Sequence, residues 1–424
     1  RQYKANLKIH FGTALILYIL HFFAKMTTAL YTGILLLGTL TINAAQEHDS
    51  SPSAFASFVA KHGRQYKANS SEYQLRHKLF VQRAIEVDQH NSKPERLWTA
   101  KINHLADRTD SELAQLRGWR GVRSTSRRSV AGISPHMHGR PGMFLSQRSN
   151  SVGPRLPEEI SWGNLSSIQA DTNQGGCGSC WAIAATTVLN SAAEKAGLGR
   201  TFSEQDLVDC VPNPHHCGGT GGCSGATVEL AMNFVVTSGV RDTSRAPYFG
   251  VDHACAASLL QTPSQEDFNF DSMVAVGVHT SPAASAGMRL GLKAWERLPE
   301  NEYEPLLHAL VQHGPVAISV AASSWSFYNE GIFDSCSKDA VIDHAVTLFG
   351  YGKDAASGRK FWEIKNSWGL GWGMQGNIRL LREDAVTCGT DWQPEVGTGC
   401  DGGPTSVTVC GHCGILYDAV SVQM

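Results

Sequence analysis

Four stretches of the chain carry a readable pattern of apolar and polar positions. After Cys180, the segment WAIAATTVLNSAAEKAG is rich in alanine, spaces Trp181, Val188 and Leu189 at helical intervals and stops at Gly197. That pattern predicts a helix with Cys180 at its N-terminus. From Glu72, the residues Glu72, Arg76, Phe80, Val87 and Asn91 fall in heptad-like steps along one face, predicting a second helix. VIDHAVTLFGYG around His344 and FWEIKNSWGLGWG around Asn366 are apolar, β-branched or aromatic runs ending on glycines, and read as strands leading into turns. Two further apolar runs, 11–23 and 29–42, each fall short of the ~20 residues a membrane span requires, and Lys25 separates them.

The apolar runs also sort the N-terminal region. Met26 opens a short polar stretch, Leu30 to Leu40 is apolar, and Ala44 and Ala45 are small residues suited to cleavage, so 26–45 reads as a signal peptide. Residues 1–6, RQYKAN, recur identically at 64–69, and 1–25 reads as upstream readthrough or a gene-model error. A membrane anchor made of the two apolar runs is the rival reading, disfavoured by their brevity; no stable membrane insertion is expected. Residues 117–155 carry eight arginines and no acidic residue among scattered Gly, Ser and Pro, too little apolar surface to fold alone.

Composition narrows the class. The 424 residues leave room for two or three domains at ~150 residues each, and 42% hydrophobic content is ample for a core. A net charge of −2 argues against a nucleic-acid partner. Eleven cysteines become ten once Cys180 is set apart, enough for five disulfides in an oxidising compartment. The expected location is the secretory pathway, ending in a lysosome-like or vacuole-like compartment or outside the cell.

The candidate chemistry lies in QGGCGSCWA, Gln174 to Ala182. A thiol at a helix N-terminus meets unpaired N–H groups and the positive end of the helix dipole, which lowers its pKa. Glycines 175, 176 and 178 let the loop approach a substrate, and Gln174 can offer its amide to an oxyanion beside the Cys180 N–H. Cys177 and Cys180 alone would equally make a redox pair or half a metal site. His344 is the candidate base; Asn366, 22 residues later, can orient its ring, and Trp368 can shield that hydrogen bond.

Taken in order, these three segments resemble the papain-like cysteine proteases, the family of the cathepsins and plant vacuolar proteases. The resemblance implies a two-lobed α+β fold, a helical lobe and a β-barrel-like lobe with the cleft between them. It makes Cys180 the nucleophile, His344 the base and then acid, Asn366 the orienting residue and Gln174 the oxyanion donor, with no cofactor or metal required. His344 and Asn366 lie 164 and 186 residues beyond Cys180, against a family spacing of roughly 130–150, so the catalytic domain carries insertions. The family also implies bridges Cys177–Cys223 and Cys210–Cys255, and a third from Cys336 to Cys388 or Cys413, with Cys413 favoured because GILYDAV resembles the usual last strand.

The same resemblance organises the rest of the chain. The Glu72 helix looks like the first motif of the family's inhibitory propeptide, with Arg83 and Val87 departing from it. Asn103, Leu105 and Asp107 look like the second, with Lys101 and Leu105 as departures. The implied organisation is a propeptide at 50–117, a basic activation linker at 118–155 and a catalytic domain at 156–424, a monomeric cysteine endopeptidase acting through an acyl-enzyme on protein and peptide substrates with its propeptide as inhibitor. The mature N-terminus LPEEISWGN has Ser161 at the usual aspartate. GGCSGA resembles the substrate-pairing GCxGG motif, placing Gly225 and Ala226 against the substrate, although Ala226 replaces a glycine. Asp418, five residues past Cys413, falls where the pocket for the second residue before the scissile bond is lined, and a carboxylate there is expected to admit basic side chains. His215, His216 and Cys217 suggest either a metal site or, preferred, a loop disulfide. CGHC at 410–413 also matches a disulfide isomerase dithiol. A catalytically silent binding or storage protein on the same fold is the remaining rival.

Overall fold

The computed structural model describes residues 51–118, 156–255 and 292–424. The signal peptide reading, residues 1–25 and the basic linker from 119 onward lie outside the described residues.

The first described segment builds a small helical unit. Helix α1 (Pro52–Lys61) starts on Ser51, whose Oγ accepts from the Ala54 N–H, and buries Phe55 and Phe58. Helix α2 (Ser71–Asn91) is capped in the same way by Ser70 and buries Phe80, Arg83, Ala84 and Val87. Phe55, Phe58 and Phe80 pack together with Ala106 into a core of their own. Asn91, at the end of α2, exchanges two 2.9 Å hydrogen bonds with the backbone of Ala100 in strand β1 (Trp98–Ala100). The turn that follows is tied by charge. Asp107 is fully buried and accepts from Arg64 at 2.8 and 2.9 Å and from the Tyr66 hydroxyl at 2.8 Å. Helix α3 (Asp110–Gln115) begins with a reciprocal capping box between Thr109 and Glu112, and Glu112 also binds Arg76 of α2. Arg83, a departure from the family motif, pairs with Asp110 at 2.7 Å.

Beyond residue 156 come strand β2 (Ile160–Ser161), the short helix α4 (Ser166–Gln169), and the long helix α5 (Cys180–Lys195). Helix α5 is buried along almost its whole length, which its alanines allow by letting neighbours close in from every side. It packs with α6 (Glu204–Cys210) and α7 (Val228–Thr237) to form a helical lobe. The second lobe is a sheet: β3 (Ala294–Arg297), β4 (Val316–Val320), β5 (Tyr328–Phe333), β6 (His344–Lys353), β7 (Lys360–Lys365), β8 (Asn377–Leu381) and β11 (Asp418–Gln423), with helix α8 (Tyr303–Gln312) ahead of β4. Its strand order is β1-β5-β8-β7-β6-β4-β11-β3, and β2 pairs with the end of the interior strand β6 at Gly350 and Tyr351. The sheet is open rather than a closed barrel, ending at β1 and β3. Strands β9 (Cys388–Asp391) and β10 (Val407–Cys410) form a separate hairpin.

The segment before 118 is continuous with this second lobe. Strand β1 adds to the sheet antiparallel to β5, and Val87, Trp98, Leu105, Leu113 and Leu116 share one hydrophobic core with the strands. Asn103 reaches across as well, donating to the Ser326 carbonyl at 2.8 Å. No helix among the described residues is long and apolar enough to cross a membrane.

Removing Asp107 would leave Arg64 without its carboxylate inside this interface. Asp107→Ala, made in a Cys180→Ser background, is expected to destabilise the helical unit by about 3–5 kcal/mol. A urea titration followed by the fluorescence of Trp98 reads the loss; an unchanged midpoint would show that the buried pair is not what holds the turn.

Candidate active site

Helix α5 begins without a side-chain cap. Ser179 occupies the cap position, but its Oγ sits 2.5 Å from the Tyr248 hydroxyl instead of bonding the helix. The first N–H groups of α5 are therefore not closed off by their own cap, the arrangement that suits a helix end to an anion. Cys180 is the first residue of this helix and the single cysteine outside a disulfide. The other ten pair as Cys177–Cys223, Cys210–Cys255, Cys217–Cys400, Cys336–Cys413 and Cys388–Cys410.

The Cys180 sulfur rests against backbone N–H groups of Ala345 and Trp181, and Ala345 follows His344 at the start of β6. His344 Nε2 lies 2.8 Å from Asn366 Oδ1. Because that oxygen also accepts from the Ser367 N–H at 2.8 Å, the amide orientation makes Nε2 the donor and leaves Nδ1 as the acceptor nitrogen. Nδ1 has no hydrogen-bond partner among the described residues. Trp368 stacks on the imidazole, with ring centroids 5.1 Å apart, and covers the His344–Asn366 bond.

Burial changes the expected charge of the pair. It pushes the Cys180 thiol up to about 11, more than the surrounding N–H groups pull it down. Burial likewise holds His344 at about 4, despite the Asn366 hydrogen bond. The helix-end argument predicted a lowered thiol pKa; in the covered state desolvation outweighs it, and sulfur and ring are both neutral.

What covers them is the segment after α3. Gln174 Nε2 donates to the Leu116 carbonyl at 2.6 Å and to the Cys177 carbonyl at 2.8 Å, and its Oε1 accepts from Ser367 at 2.5 Å. Arg117 then pairs with Asp343 at 2.7 Å, and Gly118 lies against Gly225. Gly225 has φ +90°, and a Cβ there would stand 2.9 Å from the Gly118 carbonyl oxygen, so glycine is required by both backbone and space. Ala226, where the family motif has glycine, turns its methyl into the helical-lobe core. Close approach is thus kept by Gly225 alone.

Asp418 is buried, accepts from Arg297 at 2.8 Å and from the Ser319 hydroxyl at 2.5 Å, and lies near Glu229, which Arg297 also meets at 3.2 Å. Both of its oxygens are thus engaged, which is different from the free carboxylate expected to attract a basic side chain. The pairing of Arg117 with Asp343 was not anticipated: Arg117 reads as part of a basic spacer, and the only signal was an aspartate beside His344. Cys217 lies in a disulfide rather than a metal site. The only His/Cys/Asp/Glu trio close enough to hold a metal among the described residues is Cys336, His412 and Cys413, and its two sulfurs are bonded to each other. Cys410 and Cys413 have different partners, so no CGHC dithiol forms.

The chain is similar to known proteins over most of its length. Residues 156–398 match the model for papain family cysteine protease, and 55–113 the cathepsin propeptide inhibitor domain. The chain is 30% identical over 333 residues to the senescence-specific cysteine protease SAG12 of Arabidopsis thaliana, covering 77% of this chain and 83% of that one. It is 28% identical over 356 residues to a cathepsin L-like peptidase of Aedes aegypti, covering 82% and 93%. Among solved structures it resembles the digestive procathepsin L2 proteinase of Tenebrio molitor larval midgut, with TM-score 0.61, 24% identity and coverage of 88% and 99%. A recombinant stem bromelain precursor is similar at TM-score 0.58 and 25% identity, covering 88% and 98%.

Acid should loosen the cover. Burial holds His344 and, in the covering segment, His104 at about 4, below the ordinary 6.5. Between those values both groups bind fewer protons covered than exposed, so the covered state loses stability as pH falls from 6.5 towards 4. In a Cys180→Ser chain, release of the segment should rise across that window, read as susceptibility to an added protease; a flat profile would show that these histidines do not control it.

Proposed function

Because this chain belongs to the papain family of cysteine proteases and carries the cathepsin propeptide inhibitor domain ahead of its protease domain, we propose that residues 50–117 inhibit the catalytic domain of 156–424 until the linker at 118–155 is cut near Leu156. The chain is a cysteine protease zymogen, and its substrates are proteins and peptides.

The observation that most supports this reading is the position of the one cysteine outside the five bridges, at an uncapped helix end beside the first residues of β6. Once the propeptide leaves and water reaches the cleft, the burial that raised the thiol and lowered the imidazole is relieved. His344 Nδ1 then takes the Cys180 proton, giving an imidazolium–thiolate pair held in register by Asn366. The thiolate attacks a peptide carbonyl, and the oxyanion is met by the Cys180 N–H and by the Gln174 amide. That amide already holds a backbone carbonyl, that of Leu116, in the zymogen. His344 protonates the leaving amine, and water then hydrolyses the thioester, with His344 again as base. The proton taken from Cys180 leaves with the amine, and the one that His344 takes from water returns to Cys180 as the acid departs.

The five disulfides favour an oxidising compartment, within the secretory pathway or beyond it, and the enzyme is read as a monomer. A silent binding or storage protein would have no use for Cys180, His344, Asn366 and Gln174 all intact.

Incubating the purified chain at acid pH should produce a new N-terminus near Leu156 and hydrolysis of Arg- and Leu-containing peptides, both lost in Cys180→Ser. Absence of both in the unmodified chain would sink the zymogen reading. For the pocket, Asp418 is already paired with Arg297 and Ser319, so Asp418→Ala is expected to leave the Arg-over-Leu preference within about twofold; a fall of about tenfold would show that its carboxylate is available to a basic side chain after all.

A further inference from the structure

Strand register lines up three side chains on one face of the sheet lobe. Ala345 of β6 stands opposite Ser319 of β4, and Ser319 opposite Asp418 of β11. Ala345 itself, and Ala317 and Val420 two positions along from Ser319 and Asp418, pack into the core of the helical lobe, so the row faces that lobe. At its near end the Ala345 N–H rests against the Cys180 sulfur. Its far end, Asp418, lies two strand spacings away, about 10 Å. On the opposite wall Gly118 of the propeptide sits against Gly225, and Ala226 and Thr227 lead straight into α7. The first turn of α7 brings Glu229 to the far end of the row, where Arg297 of β3 meets Glu229 at 3.2 Å and Asp418 at 2.8 Å. Ser319, Asp418, Arg297 and Glu229 therefore border the stretch of cleft that Gly118 enters.

Within this cluster Arg297 is matched without Glu229. Its guanidinium donates to Asp418 and, at 2.5 Å, to Glu300 in the turn after β3, and it lies over the Tyr417 ring. Asp418 also takes the Ser319 hydroxyl, so both of its oxygens are engaged. Glu229 differs. One of its oxygens meets Arg297, while Oε2 has no hydrogen-bond partner among the described residues. Burial first, and then the Asp418 charge, push the Glu229 carboxyl up to about 7 against the pull of Arg297. Burial alone would raise Asp418 too, but Arg297 and Ser319 hold it below its usual range. The charges that face Glu229 are thus Asp418 from β11 and Arg297 from β3, with Glu300 behind Arg297; Ser319 of β4 is neutral. The Glu229 and Arg297 side chains keep 26% and 29% of their surface against 4% for Asp418, so an entering side chain meets these two first.

We propose that Glu229 is the specificity-determining residue of this pocket, admitting a basic side chain as the second residue before the scissile bond when its carboxylate is charged and disfavouring one when it is protonated. This rests on the protease reading above and on the placing of Asp418 in that pocket. A guanidinium that enters beside Arg297 meets a like charge. Ionised Glu229 supplies the negative charge that offsets it, beyond what Asp418 and Glu300 already commit to Arg297. Protonated, the same carboxyl leaves Arg297 to repel a second cation. Because Glu229 loses its proton as pH rises, acceptance of basic residues rises with pH.

The test gives the self-processed enzyme two blocked peptide amides that differ only at that position, one carrying arginine and the other citrulline, its uncharged isostere. Both are cut by the same Cys180 and His344, so the ratio of their kcat/KM values cancels the titration of the catalytic pair. From about pH 5 to about pH 8 the arginine-over-citrulline ratio should rise about tenfold, and in Glu229→Gln it should stay within about twofold across the same range. A flat ratio in the unmodified enzyme, or an equal rise in Glu229→Gln, overturns the proposal; if Glu229→Gln does not fold, the profile of the unmodified enzyme decides. Cleavage of neither amide, with Cys180 unlabelled by an epoxide thiol reagent, overturns the protease reading and this proposal with it.

Discussion

Desolvation of the Cys180–His344 pair governs much of what this molecule can do in its covered form. A helix end and backbone N–H groups favour a thiolate, and an amide-anchored imidazole beside it would favour an ion pair. Under the propeptide burial disfavours both charges, raising the thiol and lowering the imidazole. On the proposed reading the zymogen is held inactive in two ways, by a blocked track and an uncharged thiol, and removal of one chain segment would reverse both.

That segment is integrated into the protein rather than laid over it. Trp98, Leu105, Leu113 and Leu116 belong to the same core as Trp325, Phe333 and Trp372 of the sheet lobe. The buried Asp107 organises the turn that aims α3 at the cleft, so Gln115 to Gly118 reach the active site on a rigid support. The segment is therefore held by packing at a distance from the site.

Much of this was legible in the residues themselves. Helix α5 announces itself through alanines that permit burial on all sides, and the strand leading to His344 through its β-branched run. The heptad-like face of α2 is the face that meets α3 and β1. What stayed hidden depended on contacts between distant positions. Nothing local to Asp418 signals that Arg297, more than a hundred residues earlier, will neutralise it. Arg117 has the composition of a spacer, yet its partner Asp343 lies far along the chain. Disulfide connectivity is equally non-local, so Cys217 and Cys400 could be paired only in three dimensions. The direction of the thiol shift was misread because a sequence reveals the dipole at a helix end but not how much water remains there.

Strand β1 contributes a last point. In the zymogen it occupies the edge of the sheet, where Ile332 donates to the Leu97 carbonyl at 2.8 Å and Lys101 to the Phe327 carbonyl at 2.9 Å. Loss of the propeptide, as proposed, would remove that neighbour and turn β5 from an interior strand into a rim with unclaimed backbone donors and acceptors. Glu330 and Gly331, the latter with φ +95°, are the residues that pair with Thr99 and Trp98, so the rim is already shaped to accept a strand. On the proposed activation, the mature enzyme would carry an open sheet edge that its precursor keeps paired, so the same cut that frees the cleft would also free a surface for strand addition.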